Sequence, residues 1–159
     1  MTIPVLYAFD ISLHRHPAEG LPEGGAHTDT WGTWPTVQPP HEVLAVPLAI
    51  SFEDAVDCLS RLERMYAEPD GSFVWVSSRE GLSWQVDGNV FDRGGRVVLV
   101  DMKGSCPPDD FDRLLACFGW PAEGLLFQLV RPAVFLEEAA FRRHAAARGA
   151  IRPGQDMRP

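Results

Sequence analysis

Lysine is almost missing from this chain: Lys103 is the only one among 159 residues. Arginine brings the cationic total to 14 against 22 carboxylates, for a formal net charge of -8. Phosphate backbones call for a basic surface. No cluster of Lys or Arg supplies one, so nucleic acid is not an expected partner. An acidic balance favours solubility, or a basic protein partner.

Cysteine is scarce as well. Cys58, Cys106 and Cys117 form no CxxC pair, which excludes zinc-ribbon spacing and a disulfide framework. Cys58 and Cys117 fall in helical patterns, where a free thiol acts as a small apolar side chain. No apolar run reaches the ~18 residues of a membrane-spanning helix, so no membrane partner is expected. The opening MTIPVLYAFDISLHR has no cationic leader, and Asp10 interrupts its apolar part. That pattern lacks a signal peptide and leaves a cytoplasmic setting as the expectation.

Catalytic signatures are missing too. HEVLA at His41 begins like a zincin helix, but Ala45 stands where the second histidine belongs. Gly24-Gly25 and Gly94-Gly95 lack the context of a phosphate loop, and no GxSxG elbow occurs. Asp87 to Asp92 offers oxygen ligands without the spacing of a calcium-binding loop. Arg79 and Glu80 read as a solvated turn. His144, at the basic end of the last helical pattern, suits the helix dipole and is assigned no chemistry.

What is present is mostly regular patterning. Val5, Tyr7, Phe9, Ile11 and Leu13 alternate with Leu6, Ala8, Asp10, Ser12 and His14, the period of a half-buried strand. A second strand is read in EVLAVPLAI, residues 42–50, with Pro47 placing it at an edge or bulge. Ser51 caps a helix over 52–66, with Phe52, Val56, Leu59, Leu62 and Tyr66 as its apolar stripe. Strands follow at 73–76 and 82–86, and a hairpin turns on Gly94-Gly95. Helices at 109–118 and 136–148 flank a strand near 125–130.

This order predicts an α+β domain, a mostly antiparallel sheet with two to three helices packed on it. From the second strand onward it resembles a ferredoxin-like arrangement with an extra strand, preceded by an N-terminal strand and loop. Residues 1–150 form one domain on this reading, and the polar tail 151–159 is frayed.

One segment departs from the pattern. Residues 14–41 hold five Pro, four Gly, two Trp and four of the five His, with no apolar period. It is read as a long irregular loop, of a length that is usually functional or disordered. His14 and His16 share a face if the first strand persists. With His27 folded back they make a three-ligand site of the kind that holds zinc, the one cofactor left open. Asp10, Ser12 and His14 are the residue types of a hydrolytic triad, but no elbow or oxyanion donor accompanies them. Trp31 and Trp34, between glycines and prolines, are candidate anchors for a partner or ligand.

The leading expectation is therefore a non-enzymatic interaction module that binds a protein through Trp31 and Trp34. A metal-dependent hydrolase or metal-binding protein using His14, His16 and His27 is the first alternative. A small-ligand sensor, closed by the tryptophan loop, is the second.

Overall fold

The structure, a computed structural model, describes residues 5–78 and 80–150. Arg79 and the tail 151–159, read above as a turn and a frayed end, lie outside the described residues. The first strand, β1 (Tyr7–Arg15), forms as its alternation predicts. Phe9, Ile11 and Leu13 point into the core. Asp10 faces away from it, opposite Lys103 in the neighbouring strand.

The segment 14–41 is not irregular. It folds into β2 (Glu23–Asp29) and β3 (Gly32–Val37), an antiparallel hairpin with a shift in register at Glu23/Gly25. The glycine pair and Pro35 mask the strand pattern in the sequence. Only Trp34 and Thr36, alternate residues of β3, are buried. A hairpin with so few apolar side chains is sparsely signalled by hydrophobic period.

The expected strand at 42–50 is replaced by one turn of helix, α1 (His41–Leu44), and an extended connection. Pro47 removes a ladder donor in the middle of that run. What survives is one hydrogen bond, Leu48 N to Val97 O, and a bridge between Ser51 and Arg96. Without that strand the βαβ unit of the ferredoxin-like reading does not form.

Ser51 does cap α2 (Phe52–Ser60), its Oγ accepting from Asp54 N at 3.1 Å. The helix is shorter than expected because Met65–Ala67 is drawn into β4, paired with β5 (Ser72–Val76). Tyr66, placed in the apolar stripe by sequence, is consequently exposed. The hairpin on Gly94-Gly95 joins β6 (Gln85–Arg93) to β7 (Arg96–Cys106), both glycines at positive φ. Helix α3 (Pro108–Ala116) leads to β8 (Leu125–Leu129). A short strand absent from the sequence reading, β9 (Val134–Leu136), precedes α4 (Glu138–Gly149).

These strands make one nine-stranded antiparallel sheet in the order β2-β3-β9-β8-β1-β7-β6-β5-β4. The molecule is mixed α and β but dominated by its sheet. The three longer helices share one core. Phe111 of α3 meets Phe9 at 5.1 Å, and Phe141 of α4 stacks on Phe127 at 4.4 Å. Leu59 of α2 joins the same cluster, with Leu114, Leu115 and Phe118 all fully buried. No described helix is long and apolar enough to cross a membrane.

Candidate functional site

The turn between β2 and β3 is built by one carboxylate. Asp29 Oδ1 accepts hydrogen bonds from Trp31 N at 2.8 Å, Gly32 N at 3.1 Å and Trp34 Nε1 at 3.1 Å. An Asp side chain that satisfies backbone N–H groups beyond it is a common way to hold a turn. Gly32, at φ +150°, lies against the Trp34 ring, where a Cβ would sit 2.9 Å from it. The same aspartate thus shapes the turn and anchors the buried indole.

Its second oxygen reaches α4. His144 Nε2 lies 2.9 Å from Asp29 Oδ2, and His27 Nε2 lies 3.5 Å from the same atom. His144 is only 2% exposed, wedged edge-on between Trp31 and Trp34 at centroid distances of 5.6 and 5.1 Å. Burial lowers its pKa, and the Asp29 hydrogen bond only partly offsets that. Burial acts to raise Asp29, but the bonds from Trp34, Trp31 and His144 outweigh it and hold the carboxyl below its usual range. In this dyad His144 Nε2–H donates to the Asp29 carboxylate, and burial disfavours the charged ring.

Trp31 is used differently from Trp34. Its ring remains 42% exposed, and the Arg148 guanidinium carbon lies 5.1 Å from its centroid. Beside it opens a cleft of about 430 Å³ walled by His27, Asp29, Trp31, His144 and Arg148. Asp10, Arg131 and the apolar Leu129, Val130 and Pro132 complete it. No known protein family matches this chain, and neither curated proteins nor solved structures give a match. The chemistry of the cleft must therefore be read from its own residues.

The cleft is furnished for holding more than for proton transfer. The N–H of His144 is committed to Asp29, and its Nδ1 is buried without a partner. A general base must reach the proton it takes. What remains accessible is an indole face, two guanidiniums, the Asp10 carboxylate, the half-buried His27 ring and an apolar floor.

The other sequence candidates are scattered. Ser12 Oγ donates to Gln128 Oε1 at 3.0 Å, which leaves it as the acceptor for His14 Nε2 at 2.8 Å. Ser12 and His14 are both buried, so this pair is a satisfied polar contact inside the fold. Burial also pushes His14 below its ordinary pKa. His16, just beyond β1, pairs with Glu137 Oε2 at 2.7 Å, and its Nδ1 donates to Pro17 O at the same distance. His27 belongs to the Trp31 cleft. Among the described residues no group of three or more His, Cys, Asp or Glu is placed to hold a metal ion. Cys106 and Cys117 are buried free thiols, and Cys58 is half-buried.

Sequence reasoning placed Trp31 and Trp34 near the site and singled out His27 and Asp10, in other roles, but it did not bring in Arg131, His144 or Arg148. Asp29 had a signal, an Asp two residues before the Trp-Gly of a turn. His144 had none, since only the tertiary fold brings α4 beneath the hairpin.

Proposed function

We propose that the protein is a non-catalytic binding module that takes a small ligand in the cleft beside Trp31. The observation that carries this reading is the division of labour between two indoles. Trp34 is buried and pins the hairpin, while Trp31 stays exposed over a wall already fixed by Asp29 and His144. A preorganised wall lowers the ordering cost of binding. The cleft volume falls within the range of small-molecule sites.

The test is a fragment screen on the isotope-labelled full chain, following the indole N–H resonances. Fragments that bind should move the Trp31 signal and leave Trp75 unmoved. Trp31→Ala should abolish that binding with the melting temperature nearly unchanged. Hits that never touch Trp31, or unfolding of the Trp31→Ala variant, would overturn the reading.

A protein partner is the second reading, supported by the position of β2 at the edge of the sheet, with no strand on its outer side among the described residues. An edge strand can accept an extended segment through its unpaired backbone groups. The exposed Glu23 at the start of β2 favours a segment carrying basic residues. Binding of this kind would perturb the amides of β2 before the Trp31 indole.

A further inference from the structure

We infer that the Trp31 cleft selects a planar ligand carrying one carboxylate, gripped by Arg148 and Arg131. This rests on the small-ligand reading above and adds its chemical class. The two arginines line the same cleft, and among the described residues neither is paired with a carboxylate. Asp29, on the wall of the same cleft, already accepts from Trp31 N, Gly32 N, Trp34 Nε1 and His144. Two guanidiniums with no ion pair among the described residues therefore stand beside an apolar floor, in a chain whose net charge is -8.

Arg148 is also oriented. A cation–π contact with the Trp31 ring, 5.1 Å from guanidinium carbon to centroid, holds the guanidinium beside the indole. A planar fork held in place matches a carboxylate through two parallel hydrogen bonds. The ring of a planar ligand then shares the exposed indole and the Val130 and Pro132 floor. Asp10 and Asp29 line the same cleft and offset the two arginines in formal charge. For an anion entering walls of no net charge, desolvation decides, and it costs more for a doubly charged phosphate than for a carboxylate.

The experiment titrates benzoate, benzamide and phenyl phosphate into the labelled full chain, with the Trp31 indole N–H as reporter. Benzoate should bind about tenfold more tightly than the isosteric neutral benzamide, the difference expected for a charge-assisted bond. Arg148→Gln and Arg131→Gln, checked for unchanged melting, should each weaken benzoate severalfold and leave benzamide as it was. Equal binding of benzoate and benzamide would overturn the carboxylate inference while leaving a ligand cleft in place. Tighter binding of phenyl phosphate would overturn the single-charge argument. No shift with any of the three would overturn the inference outright, and the fragment screen would then decide the broader reading separately.

Discussion

Burial at His144 and His14 disfavours the charged ring and sets both below the ordinary histidine pKa. The unfolded chain takes up these protons near pH ~6.5, where the folded protein resists them. The unfolded state then binds more protons, so stability rises with pH in this window and falls as pH drops below about 6.5. Melting temperatures measured from pH 7.5 to pH 5 should decline, and His144→Gln should flatten the slope. Asp29 acts lower on the scale. Its folded pKa is depressed, so its contribution is present above the unfolded value and lost as pH falls through the folded one. Asp29→Ala should be the harsher change, because it strips the acceptor from three N–H groups of the turn and from the buried His144. A loss of about 3 kcal/mol is expected in a denaturant titration, given charged acceptors and a buried donor left bare. A wild-type-like midpoint would show that the turn holds without it.

Among the elements, α4 joins the core to the cleft. Phe141 stacks on Phe127 and meets Phe9 and Phe111, while His144, three residues on, supports the hairpin. Phe141→Ala should cost about 3–5 kcal/mol by equilibrium unfolding and weaken any ligand bound beside Trp31. Preserved binding at full strength would separate the two roles of the helix. Elements with strong local signals were legible in the sequence: the Ser51 cap, the Gly94-Gly95 turn, the amphipathic stripe of α3 and the alternation of β1. Where they failed, a longer-range partner decided. Met65 and Tyr66 continue the helical pattern of α2, yet pairing with Val74 and Trp75 outweighs one more helical turn. Leu44, Val46, Leu48 and Ile50 alternate as in a strand, but Pro47 denies that run a ladder donor. Hairpin β2–β3 has only Trp34 and Thr36 to bury, so its existence depends on Asp29 and on α4 beneath it.

Across the whole molecule, the candidate cleft lies where the first third of the chain meets the last helix. That is why its walls were not readable together: Asp29 and His144 are separated by 115 positions. The sheet has the same character. Its middle strand, β1, is the first in the chain, yet its two neighbours are β7 and β8, which begin at Arg96 and Leu125. During synthesis, at about 5–20 residues per second, this central strand would wait several seconds for its partners. Until then Phe9, Ile11 and Leu13 lack the neighbouring strands they pack beside in the fold. Pairings this distant also place refolding in the slow, millisecond-to-second class. A chain stopped after Gly119, lacking β8, β9 and α4, should remain unfolded by circular dichroism and prone to aggregate. Helix α3 and the β6–β7 hairpin, though complete in such a fragment, would have no β1–β8 floor on which to close.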